Sequence, residues 1–273
     1  MSRADTLLIT VLVLVGVFFF LPLSVVNSAN KSAPVEVSNE NSLKKMSSTS
    51  YKVSIEEFVE FSNQEDIDGC LDLISRTLKV MPESHVSAID EIVVSFNPYM
   101  RRGLGGGGKI TMRCYGVTEE EFVAVLVHEL GHVVDTDGLK GARFSGSSGF
   151  YDGSVPIFRD DPSVRFYGVS WEKSGSMRNG VTDNDFCSGY GSSDHFEDFA
   201  ECYTFYVLNE KTFRQVSGTN SQLRKKYLFI KNVVFAGKHY LLSQQYFPDD
   251  MQPYDTTVLP YSLSEFLLSP KSN

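Results

Sequence analysis

The sequence predicts an α+β domain in which a small sheet packs on one long buried helix and the C-terminal part is mainly helical. Three observations predict it. Two short runs, Ile92–Phe96 and Lys109–Cys114, have the composition and alternation of strands. A helical apolar pattern then runs from Glu119 to about Asp137. Asp194, with Glu197 three residues later, then marks the start of a further helix, and more helices are expected after it.

The N-terminal part of the chain is predicted to direct it out of the cytoplasm. Arg3 precedes an uncharged apolar run over residues 7–26, which is long enough to span a bilayer. We therefore expect residues 1–29 to be a signal peptide or a membrane anchor. Residues 30–50 are rich in Ser, Asn and Lys and should form a flexible linker, which leaves 51–273 as the folded domain.

Two helices are expected before the first strand. Ser54 and Glu57 form a capping-box pattern, which predicts a short helix over residues 55–61. A second, amphipathic helix is expected from Glu65 to Val80, and Pro82 should prevent its continuation.

A glycine-rich run, Gly103–Gly108, separates the two predicted strands. A phosphate-binding loop requires Ser or Thr after Lys109 and a helix next, and this sequence has neither. We therefore expect a turn or bulge at which backbones approach closely. Because the run leads into the strand before the long helix, it is predicted to border a substrate groove.

The long helix has clear end signals. Thr118 is a good N-cap with Glu121 three residues later, and Gly138 is a natural C-terminal stop. Its apolar residues cover a wide face, so the helix should be buried. A polar stripe containing His128 and His132 crosses that buried helix, which is costly unless the side chains are paired or bind a metal.

The rest of the chain contains one irregular segment and several helices. Residues 139–193 show little periodicity and many Gly, Ser, Asp and Pro residues, so we expect a long functional or locally ordered loop. Helices are expected over His195–Asn209 with Asp194 as N-cap, over Ser221–Phe235, and from Ser262.

The segment His128-Glu129-Leu130-Gly131-His132 carries the chemistry. Two histidines four positions apart share one face of a helix and can reach one zinc ion, with Glu129 beside the open coordination position. A catalytic zinc site needs a third protein ligand. The sequence therefore has to supply that ligand from elsewhere.

Four sources of the third ligand compete. The Gly-x-x-His extension of metzincins is absent, and Cys114 lacks the sequence context of peptide deformylases. Asp135 lies one turn past His132 and is expected to be out of reach. Glu197 and Glu201 lie one turn apart on a later, largely apolar helix. One of these two can bind zinc while the other accepts a hydrogen bond from a ligand histidine.

These residues resemble a known family. His128–Asp135, with Glu197-Asp198-Phe199-Ala200-Glu201 and with Tyr190 seven residues before Glu197, is similar to the anthrax lethal factor catalytic-domain family of gluzincin metallopeptidases. The similarity extends over roughly residues 92–206 and includes the glycine-rich run. It does not extend to toxin delivery domains.

The resemblance implies a zincin-like fold and a set of roles. His128, His132 and Glu197 would be the Zn²⁺ ligands, and Glu201 would support a ligand histidine. Glu129 would be the general base and then the proton donor. Tyr190 would donate a hydrogen bond to the oxyanion.

We therefore expect an exported zinc endopeptidase that acts on a protein or peptide substrate, with its catalytic domain outside the cytoplasm. A zinc amidase acting on cell-wall peptides and a non-catalytic, tethered zinc-containing binding domain are the alternatives. The net charge of −9 without a basic stripe argues against a nucleic-acid partner. The four cysteines permit two disulfides, but the sequence does not pair them.

Overall fold

A computed structural model describes residues 51–56, 63–243 and 252–269. The predicted signal or anchor segment, the predicted linker and residues 57–61 of the first predicted helix lie outside these residues. The described residues belong to one compact unit. Within them, no helix combines the length and the apolar character that crossing a membrane requires.

The secondary structure of the described residues follows the chain in this order. The helices are α1 (Gln64–Val80), α2 (Glu83–Val86), α3 (Glu119–Val133), α4 (Ser163–Ser170), α5 (His195–Ser217), α6 (Ser221–Phe229) and α7 (Leu263–Leu267). The strands are β1 (Lys52–Glu56), β2 (Glu91–Ser95), β3 (Gly103–Gly106), β4 (Lys109–Arg113), β5 (Ser147–Asp152), β6 (Val155–Phe158), β7 (Trp171–Lys173) and β8 (Ser176–Met177).

The main sheet has four strands in the order β1-β2-β4-β3. The first three are parallel, with Ile92 opposite Ile110 in the β2–β4 register, whereas β3 is antiparallel to β4 and lies at the edge. The central residues of β2 are buried on both faces, as expected for a parallel strand covered by helices, whereas β4 buries only Ile110 and Met112.

Helix α3 lies between this sheet and α5. Its apolar residues are buried almost completely, and together with β2, β4 and α5 they form the core. Burying one large aliphatic side chain contributes about 1.5–3 kcal/mol, so this layer is the main source of stability. The predicted α+β class, with small sheets, is confirmed.

The helix predicted over residues 55–61 is wrong at its start, because Lys52–Glu56 form strand β1. Ser54 does not cap a helix; its hydroxyl donates a hydrogen bond to Oε1 of Glu91 at 2.9 Å. The segment pairs with β2 along its whole length. Long-range strand pairing has overridden a short local capping signal.

The segment over residues 139–193 is more ordered than the sequence suggested. It contains the hairpin β5–β6, helix α4 and the hairpin β7–β8. The first hairpin turns at Gly153, which has φ +56°, after Asp152. Asp-Gly is a known hairpin signal, and strands this short escape a search for longer periodicity.

The other helices predicted from the sequence are present, with shifted ends. Helix α5 continues to Ser217 past Asn209, its predicted end, where φ −137° and ψ 38° leave the helical region. The predicted helix to Phe235 is α6 followed by a π-helical turn over Ile230–Val234. Disulfides join Cys70 to Cys114 and Cys187 to Cys202.

Candidate metal centre

Helix α3 carries the two histidines into the interior. Its N-terminus is fixed by Thr118, whose hydroxyl accepts a hydrogen bond from the N–H of Glu121 at 3.1 Å. His128 and His132 lie one turn apart, with ring centroids 4.9 Å from each other. Their side chains are only 6% and 11% exposed, so both imidazoles need partners inside the protein.

Those partners come from α5, which crosses α3 at Gly131. A Cβ atom at Gly131 would lie 3.1 Å from Cα of Ala200 and 3.3 Å from Cβ of Tyr203. A side chain here would therefore be more tightly packed than most, and glycine lets the two helices approach this closely without displacement. The glycine inside the histidine motif therefore helps to bring Glu197 and Glu201 to the histidines.

Replacing Gly131 with Val should destabilise the protein by about 1–3 kcal/mol, since the added methyl groups must push α5 away. The matched control is Gly69→Val, because a Cβ at Gly69 of α1 meets no atom within 4 Å. Urea denaturation of both variants measures the difference. Equal stability of the two variants would contradict this view of the helix crossing.

The donor atoms of three residues converge on one point. Oε2 of Glu197 lies 3.2 Å from Nε2 of His128 and 3.4 Å from Nε2 of His132. One ligand atom from each residue lies within 4.8 Å of the others. Two imidazole nitrogens and a carboxylate oxygen form a donor set that suits a transition metal such as zinc. The described residues therefore contain a group that could hold a metal ion.

The charges on the two histidines and on the glutamates around them depend on one another. Burial opposes a charge on His128, but its contacts with Glu197 and Glu201 raise its pKa well above the ordinary value. Burial also opposes a charge on Glu197, and the hydrogen bonds with His128 and His132 outweigh this and hold its pKa well below the ordinary value. A cation held between the three side chains would take the place of the proton that the raised pKa keeps on His128.

Glu201 lies behind the group rather than in it. Its side chain is fully buried, and its Oε1 lies 3.0 Å from Nδ1 of His128, without the alignment of a hydrogen bond. Glu201 is therefore placed to orient the imidazole whose other nitrogen faces Glu197.

Glu129 is enclosed by the edge strand β3. Cβ atoms at Gly103 and Gly105 would lie 2.4 Å from its Oε1 and 2.3 Å from its carbonyl oxygen, respectively. The predicted close backbone approach is confirmed, although Gly103–Gly106 form a strand and only the residues after Gly105 turn. Burial raises the pKa of Glu129, although a hydrogen bond from the Gly105 backbone opposes that effect.

The hydroxyl of Tyr190 donates a hydrogen bond to Oε1 of Glu197 at 3.0 Å. The other oxygen of that carboxylate faces the histidines. Tyr190 therefore lies beside the donor group, as expected. To donate to a substrate oxyanion, its hydroxyl has to leave Glu197.

One groove with a volume of about 1000 Å³ contains the three donor residues together with Glu129 and Tyr190. Strand β3 and Tyr254 also line it, whereas the buried Glu201 does not.

No protein-family model, curated protein or solved structure matches this chain. The assignment of this site therefore depends on the geometry of the chain itself.

The other sequence candidates for the third ligand lie elsewhere. Cys114 is joined to Cys70 by a disulfide, so no free thiolate is available there. Oδ2 of Asp135 accepts a hydrogen bond from the hydroxyl of Tyr167 at 2.6 Å. Asp135 therefore supports the end of α3 rather than the donor group.

A buried ion pair lies behind the site, and no pattern in the sequence indicated it. Lys226 of α6 and Asp198 of α5 are both fully buried, with Nζ and Oδ1 2.7 Å apart. Oδ2 of Asp198 accepts a hydrogen bond from Nε1 of Trp171 at 3.0 Å. Because Asp198 follows Glu197 directly, this network fixes the first turn of α5.

The disulfide between Cys187 and Cys202 encloses the second half of the site. The two cysteines are 15 residues apart, and Tyr190, Glu197 and Glu201 all lie between them. Replacing both cysteines with Ala should lower the free energy of unfolding by about 3 kcal/mol, the value expected for a loop of this length. Urea denaturation of the variant and of the wild type measures this, both without a reductant so that the Cys70–Cys114 disulfide stays intact, and unchanged stability of the double variant would contradict it.

Proposed function

We propose that this chain is a zinc-dependent endopeptidase with a zincin-like fold of the gluzincin type. The convergence of Nε2 of His128, Nε2 of His132 and Oε2 of Glu197 carries the proposal. The resemblance to the anthrax lethal factor catalytic-domain family supports the same three ligands. The two disulfides are consistent with an exported protein, since disulfides persist in oxidising compartments.

His128, His132 and Glu197 would hold the zinc ion. When bound, zinc supplies Lewis-acid chemistry, because it lowers the pKa of water to about 7 and polarises a carbonyl group. Glu201 and Tyr190 hold this ligand set in place, the first against Nδ1 of His128 and the second through Oε1 of Glu197.

Glu129 is the proposed proton carrier. Its carboxylate lies in the same groove as the donor group and is shielded from water by β3. In the proposed reaction it takes the proton of the attacking water and then transfers that proton to the leaving amine.

Strand β3 offers a docking edge for an extended peptide. It is the outer strand of the main sheet and borders the groove beside Glu129. An extended chain can add to such an edge through backbone hydrogen bonds. This mode of binding needs no free chain end, so it would bring an internal peptide bond to the site. This supports endopeptidase activity on a protein or peptide substrate.

Product analysis on two substrates tests the proposal. The zinc-loaded protein should generate new α-amino termini from casein, and the products should be absent when a chelator is present. Release of amino groups from peptidoglycan alone would instead identify an amidase acting on cell-wall peptides. A chain that binds zinc but cleaves neither substrate would indicate a binding domain.

A further inference from the structure

A segment near the C-terminus, Gln252–Val258, crosses the site, and we name it the C-terminal strap. Its first contacts are made by its backbone. The N–H groups of Gly189 and Tyr190 donate hydrogen bonds to the carbonyl oxygens of Pro253 and Tyr254, at 2.8 and 2.6 Å. The strap therefore pairs with the loop that carries the hydroxyl donor Tyr190.

The second contact reaches the support of the metal group. The N–H of Thr256 donates a hydrogen bond of 2.7 Å to Oε2 of Glu201, and the hydroxyl of Thr256 lies 3.3 Å from the carbonyl oxygen of Glu201. Glu201 is fully buried, so its carboxylate depends on protein donors. Because the strap engages Oε2, the other oxygen faces Nδ1 of His128.

The third contact ties the strap to the opposite wall of the groove. Arg102, which directly precedes β3, donates hydrogen bonds to Asp255 and to the hydroxyl of Thr257. Asp255 in turn accepts a hydrogen bond from the N–H of Thr257 at 2.7 Å. The strap is thus attached at the Tyr190 loop, at Glu201 and at the start of β3.

We propose that the C-terminal strap is a positioning element of the metal centre, in which the backbone N–H of Thr256 orients Glu201 against His128. This inference rests on the proposed zinc function. Groups that orient a ligand imidazole set metal affinity, and losing one typically lowers that affinity by about 10- to 100-fold. The strap would therefore contribute to zinc binding although no strap side chain belongs to the donor group.

Replacing Thr256 with Pro tests the contact selectively. Thr256 is the first residue of a short 3₁₀ turn, a position that proline tolerates, and Asp255 before it is extended with φ −145° and ψ 128°. The substitution removes the N–H and places a ring carbon towards Oε2 of Glu201. Zinc affinity of the full chain, measured by competition with a chromophoric chelator, should fall at least about tenfold.

Thr256→Ala is the comparison variant, because it keeps the N–H and removes the hydroxyl and the γ-methyl group; its zinc affinity should fall far less than that of Thr256→Pro. The thermal midpoint of each metal-free variant checks that folding is intact. If Thr256→Pro does not fold, Asp255→Asn, which weakens the Arg102 attachment, should still lower zinc affinity.

Three results would overturn the inference: wild-type zinc affinity in a folded Thr256→Pro protein, equal losses in the Pro and Ala variants, or, where only Asp255→Asn folds, wild-type affinity in that variant. Absence of zinc binding by the wild type would instead overturn the proposed function itself. The two failures are therefore distinguishable.

Discussion

Replacing Glu129 with Gln is expected to lower kcat for peptide hydrolysis by about 10²- to 10⁴-fold, the usual contribution of a general base. Gln has nearly the same shape but cannot take up a proton at neutral pH. The side chain lies beside the donor group without belonging to it, so zinc should remain bound. Steady-state kinetics on a peptide, together with the zinc-to-protein ratio of the same sample, measure both effects.

Glu120→Gln is a suitable control for the Glu129 variant. Glu120 lies on the same helix, but its side chain is exposed and lies outside the groove. This control should keep the wild-type rate. An unchanged rate in Glu129→Gln would exclude Glu129 as the base, and loss of zinc together with the rate would reduce its role to supporting the site.

Replacing Lys226 with Met is expected to destabilise the protein by about 3–5 kcal/mol, because it leaves Asp198 as a buried charge without its partner. Nζ of Lys226 also donates to the carbonyl oxygen of Asp185 at 2.9 Å and lies 4.1 Å from the ring centroid of Phe186. Burial already raises the pKa of Asp198 to about 6, which shows how strongly its environment opposes the charge. Urea denaturation measures the loss.

The double variant Lys226→Met/Asp198→Asn provides the control for the ion pair. Asn at position 198 removes the charge but can still accept the hydrogen bond from Trp171. Removing both charges of a buried pair is often nearly neutral, so the double variant should recover most of the stability. A single Lys226→Met variant as stable as the wild type would contradict the proposed contribution of this pair.

The sequence predicted the features that local patterns determine. The start of α3 follows from Thr118, and the spacing of His128 and His132 places both on one face. The end differs from the prediction, because α3 stops at Val133 and Gly138 closes a π-helical turn that begins at Val134. The pairing of two glutamates one turn apart on α5 was visible in the same way. The structure adds that α3 and α5 cross at Gly131, which brings both sets of side chains together.

Features that depend on distant residues could not be predicted. Lys225 and Lys226 are adjacent in the sequence, yet Lys225 is exposed and Lys226 is fully buried because Asp198 lies opposite it. The strap contact joins Thr256 to Glu201 across 55 positions, and it is made by a backbone N–H that any residue except proline could supply. No composition or periodicity marks such contacts.

The zinc-to-protein ratio of the wild type and of Glu197→Ala tests the central claim most directly. Both proteins are dialysed against a zinc buffer and analysed by atomic emission, with Glu119→Ala, an exposed carboxylate on α3, as control. The wild type and the control should hold about one zinc per chain, as a three-ligand catalytic site requires, and Glu197→Ala should lose most of it. A wild-type ratio in Glu197→Ala would contradict the assignment of Glu197 as the third ligand.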